Sequence, residues 1–436
     1  MDNPLRVGIA GLGTVGASVV RILGQKEAQL TAQCGRPIHI VAATARDPKK
    51  DRGVDLSAIR WADDPQTLAA SDDIDVFIEL IGGDEGPARE AVETALKASK
   101  HVVTANKALL AKHGVALAKL AEANGVILNF EAAVAGGIPI IKTMRESLSG
   151  NAVERVYGIM NGTANYILTR MESDKISFAD CLADAQKLGY AEADPTFDIE
   201  GHDTAHKLAI LTSIAFGTQI AADEIYMEGI SNISLDDIEA ARELGYRIKL
   251  LGVAQKTETG IEQRVHPTMV PLGSVIAQVE SVTNAVAVEA DVVGSLLMSG
   301  PGAGGDATAS AVIGDIADIA KAKPGHQQAP ALGSPAADLK PYVRARMRAH
   351  SGGYFIRMVV HDKPGVFADI ATRMAQNEVS LESIVQRGSE NGDGAKTIIL
   401  ITHETTESAI REVMRAMKSD GHLVSEPQVV RIERAA

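Results

Sequence analysis

The chain has 436 residues, 45% of them hydrophobic, enough for roughly two to four domains with more than one core. Its net charge of −13 argues against nucleic acid and anionic membrane surfaces as partners, and no apolar run approaches the length of a membrane span. Cys34 and Cys181 stand far apart and make no metal-ligand spacing, which fits a reducing compartment and a cytoplasmic location. Met1-Asp2-Asn3-Pro4 is no signal peptide, because a strand begins directly after it.

Leu5 to Ala10 reads as an apolar strand and Ala17 to Leu23 as an amphipathic helix. Between them stands Gly11-Leu12-Gly13-Thr14-Val15-Gly16. This is G-x-G-x-x-G with a strand before it and a helix after it. The first glycine permits the tight turn, the second lets the backbone approach a pyrophosphate, and the third packs helix against strand. The pattern predicts a dinucleotide site. The next strand is Ile38 to Ala43. A ribose-reading acid is expected at its end, but Ala43-Thr44-Ala45 stands there, followed by Arg46 and Asp47. A missing acid beside an arginine favours NADP, while Asp47 keeps NAD open.

Strand and helix patterns alternate onward to about residue 130. Ile74–Ile81 is a strand, Pro87–Ala98 a helix, His101–Thr104 a strand, Leu109–Ala123 a helix and Val126–Phe130 a strand. Such alternation predicts a parallel doubly wound sheet. Lys107 lies just past one carboxyl strand end, where such sheets bind ligands; an ordinary surface lysine at a helix start is the competing reading.

The pattern changes from about residue 150. Val153–Met160 alternates like a strand and ends at Asn161-Gly162-Thr163, and Ala287–Val293 is also strand-like. We expect an α+β domain here. Gly300-Pro301-Gly302-Ala303-Gly304-Gly305 reads as a mobile or ligand-hugging loop before a helix from Asp306 to about Ala322. The stretch Gly189 to Lys207 carries Glu192, Asp194, Asp198, Glu200 and Asp203 around an Asp194-Pro195 turn and runs into the apolar Leu208-Ala209-Ile210-Leu211. A helix starting near Asp198 or Gly201 puts Asp203 and Lys207 on one face. Such a pair can bind an amino group and protonate an oxygen; the competing reading is a solvated helix salt bridge. His202 and His206 are also four apart, but the His-Glu-x-x-His order of a metal helix is missing.

Residues from Pro324 to about Lys340 are rich in Pro, Ala, Gln and Gly and read as a flexible linker. The unit after it orders as β-α-β-β-α-β, the ferredoxin-like pattern. The domains expected are 1–135, 136–323 with the 306–322 helix packed back on the first, a linker at 324–349, and 350–436.

Ala185, Gly189, Tyr190, Ala191, Asp194-Pro195, Asp198, Gly201, Asp203 and Lys207 follow without departure a motif of the homoserine dehydrogenase family. Thr104-Ala105-Asn106-Lys107, Glu131 to Pro139 and Asn161 to Leu168 also resemble family segments. The likeness covers essentially the whole chain, in the monofunctional form with a C-terminal ACT domain carried by Asp362-x-Pro364-Gly365-Val366.

This resemblance implies a Rossmann-type doubly wound sheet, an α+β substrate and dimerisation domain, and an ACT domain. It implies reduction of L-aspartate 4-semialdehyde to L-homoserine with NADP(H), or NAD(H), in threonine, methionine and isoleucine biosynthesis. By carry-over, Lys207 donates the proton and Lys107 polarises the carbonyl or touches the cofactor. Glu192 and Asp203 hold the substrate ammonium, supported by Asp198, with Gly162 and Thr163 also at the substrate. Gly11 to Gly16, Arg46, Lys107, Gly189, Gly304 and Gly305 line the cofactor. A sodium or potassium ion is expected at Glu131, Val134, Gly136 and Ile138, mostly on backbone carbonyls.

ACT units tend to pair around amino acids, so a threonine effector and a homodimer or homotetramer are expected. On this reading, truncation near Pro324 abolishes inhibition and spares catalysis. Two other readings stand beside it: a dehydrogenase for another semialdehyde, and a non-catalytic sensor on the same frame. A sensor is expected to lose Lys207 or Glu192, and both are present.

Overall fold

A computed structural model of the chain describes residues 3–322, 329–345, 351–388 and 395–433. The first domain is a six-stranded parallel sheet in the order β3-β2-β1-β4-β5-β6. The strands are β1 (Leu5–Ala10), β2 (Ile38–Thr44), β3 (Arg60–Trp61), β4 (Val76–Glu79), β5 (His101–Thr104) and β6 (Leu128–Asn129). Val7, Ile9, Val76, Phe77, Val102 and Val103 are fully buried, as expected of strands covered on both faces. Helices α1 (Thr14–Gln25), α2 (Glu27–Cys34), α3 (Pro65–Ala70), α4 (Pro87–Lys97) and α5 (Lys107–Ala123) connect them. Among the described residues, no helix is long and apolar enough to cross a membrane.

The second domain follows short helix α6 (Ile140–Lys142). Its helices are α7 (Gly162–Asp174), α8 (Phe178–Lys187), α9 (Thr196–Ile199), α10 (His202–Phe216), α11 (Leu235–Glu243) and α12 (Gly305–Lys321). Its strands are β7 (Val153–Ile159), β8 (Tyr226–Met227), β9 (Tyr246–Thr257), β10 (Gly260–Pro271), β11 (Thr283–Ala290) and β12 (Gly294–Pro301), in the order β12-β11-β7-β9-β10 with β8 beside β10. Ile167 of α7 and Leu208 and Leu211 of α10 share one core with Val156, Leu250 and Val286 of the strands. Helix α12 returns to the first domain, where Val312 and Ile316 pack with Val7, Ile9 and Val19.

The third unit contains β13 (Ser351–His361), α13 (Val366–Gln376), β14 (Leu381–Gly388), β15 (Ala395–Thr402), the short β16 (Thr405–Thr406), α14 (Glu407–Asp420) and β17 (Gln428–Ile432). Its sheet runs β17-β13-β15-β14. The apolar stripe of α13 (Val366, Ile370, Met374) and that of α14 (Ile410, Val413, Met417) close on Ile356 and Met358.

This unit is not a bead on a string. Strand β17 pairs in parallel with β10, Thr268 opposite Arg431 and Met269 opposite Ile432, so one sheet crosses both domains. Ion pairs reinforce the seam: Arg264–Glu433 at 2.9 Å, Arg155–Glu433 at 2.7 Å and Arg357–Asp237 at 2.5 Å. Phe355, Ile399 and Val430 belong to the core of the second domain.

The expectation of a flexible linker is corrected as well. Residues 323–328 and 346–350 lie outside the described residues, but the part between them is packed. Lys340 exchanges backbone hydrogen bonds with Gly217 and Gln219, and Val343 and Ala345 bond Ile261. Leu332 and Leu339 are buried, and the Ala336 N–H donates to the Glu122 carboxylate at 3.0 Å. Composition misleads here because a few spaced apolar residues suffice to dock an otherwise polar, proline-bearing segment on an existing core.

Candidate active site

A cavity of about 590 Å³ opens between the first two domains. One wall comes from the first domain: Val15 on α1, Ala105 and Lys107 beyond β5, and Gly136. The other carries Asn161, Gly162, Thr163, Tyr190, Asp198 and Lys207. Asn284 and the loop Pro301–Gly304 close it.

The glycine turn is built for close approach. Gly11 has φ +102°, and a Cβ there would lie 2.3 Å from the Leu80 carbonyl oxygen; one at Gly16 would lie 2.1 Å from that of Gly11. No side chain caps α1 at Gly13, and its first turn holds no acid. Its N–H groups and dipole are thus open to a phosphate. Gly304 lines the cavity. Gly305 instead packs α12 on α1, where a Cβ would come within 2.8 Å of Ser18 Oγ. Arg46 is exposed past the end of β2. Asp47 turns back on its own chain, accepting the Lys49 N–H at 2.9 Å.

The charged centre is organised by Asp203, buried in the first turn of α10. Its Oδ1 pairs with Lys107 Nζ at 3.0 Å and its Oδ2 with Lys207 Nζ at 2.7 Å. Lys207 Nζ also donates to the Met160 carbonyl at 2.6 Å. Asn161 caps α7 with its Oδ1, accepting the Ala164 N–H at 2.8 Å, and its Nδ2 donates to Asp198 at 2.7 Å and Asp203 at 2.9 Å. Thr163 Oγ1 reaches Asp198 at 3.3 Å. The Lys107 ammonium lies 5.8 Å from the centroid of the Phe197 ring.

These contacts set the protonation states. Burial disfavours the Asp203 carboxylate, but Lys207 and Lys107 outweigh it and hold Asp203 well below the usual carboxylate range. Burial pushes the Lys207 ammonium below the usual lysine range, and Lys107 adds to the shift against the pull of Asp203. Burial and the Asp203 charge raise Asp198. The result is an acidified ammonium facing a small cavity.

Comparison with known proteins places this arrangement. The "Homoserine dehydrogenase" family model matches residues 139–317, its "Homoserine dehydrogenase, NAD binding domain" model residues 11–131, and the "ACT domain" model residues 354–422. The chain is 45% identical over 420 residues to the homoserine dehydrogenase of Neisseria gonorrhoeae, covering 96% of each chain. It superposes with TM-score 0.93, at 42% identity over 99% of each chain, on a homoserine dehydrogenase structure from Thiobacillus denitrificans. A hyperthermophilic archaeal homoserine dehydrogenase in complex with NADPH matches 72% of this chain and 96% of its own, at 26% identity and TM-score 0.62.

The chain belongs to the homoserine dehydrogenase family. Its activity is that of an oxidoreductase using a nicotinamide cofactor, within amino-acid biosynthesis. The residues that sequence reading assigned to the homoserine dehydrogenase centre converge unequally. Lys107, Lys207, Asp198, Asp203, Gly162, Thr163 and Gly189 all line the cavity. Glu192 is exposed and is not brought to the others. Asp203 bridges the two lysines.

Sequence reading missed three residues. Asn161 joins both carboxylates, and its signal was the Asn-Gly-Thr helix start. The Met160 carbonyl had none. Arg52 donates Nε to the Leu12 carbonyl at 2.9 Å and Nη1 to that of Lys50 at 2.6 Å, and sits 5.8 Å from the Trp61 ring centroid. The basic run from Arg46 to Arg52 was its signal.

The residues expected at a cation site fit one in donor chemistry. Ala135 and Gly136 have φ of 56° and 52°, so the backbone doubles back beside Glu131. Burial and the Asp315 charge raise Glu131 to about 7, a cost that a cation would offset. Its oxygens accept the Ile141 and Lys142 N–H groups at 2.8 and 2.9 Å.

Proposed function

We propose that the enzyme reduces L-aspartate 4-semialdehyde to L-homoserine, with NADP(H) as the preferred cofactor and Lys207 as the proton donor. The observation that carries this is Asp203 bridging Lys107 and Lys207 at the cavity wall. When bound, the cofactor supplies the hydride. Negative charge then grows on the carbonyl oxygen and must be met by a cation or a proton. Lys107 polarises that oxygen and Lys207 protonates it. Asp198 and Asp203, both lining the cavity, give the substrate ammonium an anionic wall. A sodium or potassium ion would be held by Glu131 and the carbonyls of Val134, Gly136 and Ile138. Unpaired, buried Cys34 and Cys181 support a cytoplasmic location. A steady-state assay on aspartate semialdehyde with NADPH and NADH side by side tests the reading; no turnover with either sinks it.

The cofactor preference rests on Arg46 and on Asp47 being tied to its own backbone. The archaeal relative solved with NADPH supports it. Arg46→Ala raises KM for NADPH much more than for NADH. Arg52→Ala raises both, because Arg52 also holds the glycine loop through Leu12. Equal effects of Arg46→Ala on the two cofactors defeat the 2′-phosphate role.

The ACT domain is read as a threonine sensor. Asp362 lies in the turn between β13 and α13, 3.5 Å from Lys396, and Gly365 is the N-cap of α13. A carboxylate and backbone amides there can grip an amino acid. Threonine inhibits the full chain, and Asp362→Ala removes the inhibition without lowering kcat. A full-length enzyme indifferent to millimolar threonine leaves the domain as an assembly device that pairs copies of the chain.

A further inference from the structure

Glu79 is the last residue of β4 and is fully buried. Buried carboxylates are normally paired with a cation. The hydrogen bonds of this one go to neutral groups of the loop after β4 and of the last residue of β5. Its Oε1 accepts the Ile81 and Gly82 N–H groups at 2.8 and 2.9 Å. Its Oε2 accepts the Thr104 hydroxyl at 2.5 Å. The chain of bonds continues. Thr104 Oγ1 accepts the Asn106 N–H at 3.0 Å, Asn106 Nδ2 donates to the Gly83 carbonyl at 2.6 Å, and Asn106 Oδ1 accepts the Leu109 N–H at 3.1 Å. That last bond caps α5, whose first residue is Lys107.

The carboxylate therefore ties the loop after β4 to the loop after β5, at the sheet end where the cavity lies. Gly82 and Gly83 have φ of 85° and 86°; Glu79 and Asn106 hold this part of the first loop, and Lys112 and His113 of α5 hold its next residues, Asp84 and Glu85. The second loop delivers Ala105 and Lys107 to the cavity wall. The Lys107–Asp203 contact spans two domains and holds only if α5 starts at the right place. A carboxylate can accept on both sides at once because each oxygen has two lone pairs.

We propose that Glu79 is a positioning residue that acts through Lys107, which rests on the role given to Lys107 above. Its removal displaces the start of α5 and, with it, the ammonium that meets the carbonyl oxygen. Misplacement on the scale of an ångström costs roughly 10²-fold in rate.

A double-mutant cycle tests this. The full-length enzymes are wild type, Lys107→Ala, Glu79→Ala and the double variant, each assayed for kcat and KM with NADPH. Each single variant is expected to lower kcat, Glu79→Ala by roughly 10- to 100-fold. In the Lys107→Ala background, Glu79→Ala then costs less than about threefold more, because coupled residues are not additive. Thr104→Val is isosteric and removes the bond from Glu79 to the β5 side while keeping the packing. It runs the same cycle should Glu79→Ala not fold, and the same coupling is expected. A merely structural glutamate would give its full loss in either background, and that result overturns the proposal; so does near wild-type kcat in both Glu79→Ala and Thr104→Val. If Lys107→Ala itself turns over at the wild-type rate, the role of Lys107 falls and this proposal with it. Additive losses on an impaired Lys107→Ala overturn the Glu79 proposal alone.

Discussion

Lys207→Ala lowers kcat for the reduction roughly 10²- to 10⁴-fold, with KM for the nicotinamide cofactor nearly unchanged. An ammonium has three donors. Two of those of Lys207 are used, on the Met160 carbonyl and on Asp203. The third is left for the cavity that Lys207 lines. Lys207 is buried and its pKa is pushed down, by desolvation first and by the Lys107 charge after it. Its ammonium is thus a stronger acid than a surface lysine. The sign of the pH dependence follows. Reduction needs the protonated form, so its kcat falls as pH rises through a pKa below the ordinary lysine value of about 10.4. Oxidation of homoserine needs the neutral form and rises over the same range. Lys107→Met removes a like charge and moves both limbs to higher pH. Lys207→Arg does not rescue the rate, because a guanidinium holds its proton throughout. Near wild-type kcat in Lys207→Ala ends the assignment.

The parts of this enzyme that were legible in the sequence are those set by local periodicity. The glycine spacing gave the dinucleotide turn, and the 3.6-residue repeat put Asp203 and Lys207 on one face of α10, where they lie 2.7 Å apart. Alternating patterns gave the parallel sheet and the β-α-β-β-α-β unit. What stayed hidden depends on contacts between residues remote in sequence. Lys107 meets Asp203 only because α5 and α10 face each other across the domain boundary. Asn161 reads as a helix cap, and its second task is visible only once Asp198 and Asp203 are near. Glu79 reads as one more strand residue. The linker misled for the converse reason: composition reports average polarity, whereas docking needs only a few apolar side chains such as Leu332 and Leu339.

Deleting the chain from residue 346 onward is expected to destroy the fold, not to release a deregulated enzyme. The cut removes β17 from the edge of β10, leaving the ladder positions of Thr268 and Met269 open, and an unpaired edge is a site of aggregation. It strips Phe355, Ile399, Val430 and Ile432 from a core they share with the second domain. It takes Arg357 from Asp237, which is fully buried and also caps α11. It takes Glu433 from Arg264, which is 1% exposed. The single variant Glu433→Ala removes the last of these together with the Arg155–Glu433 pair. Removing one partner of a buried pair costs about 3 kcal/mol, near the low end of the usual range because Glu262 still pairs with Arg264 and Glu289 with Arg155. Urea unfolding should show this as a lower midpoint with an unchanged m-value. The truncated chain should be insoluble or melt far below the full enzyme. A soluble 1–345 fragment with wild-type kcat and melting temperature shows that the shared sheet is only a docking contact. In that case the regulatory unit is separable after all. Destabilised Glu433→Ala with an intact active site in the remaining folded fraction instead places the seam among the elements that hold the catalytic domain together.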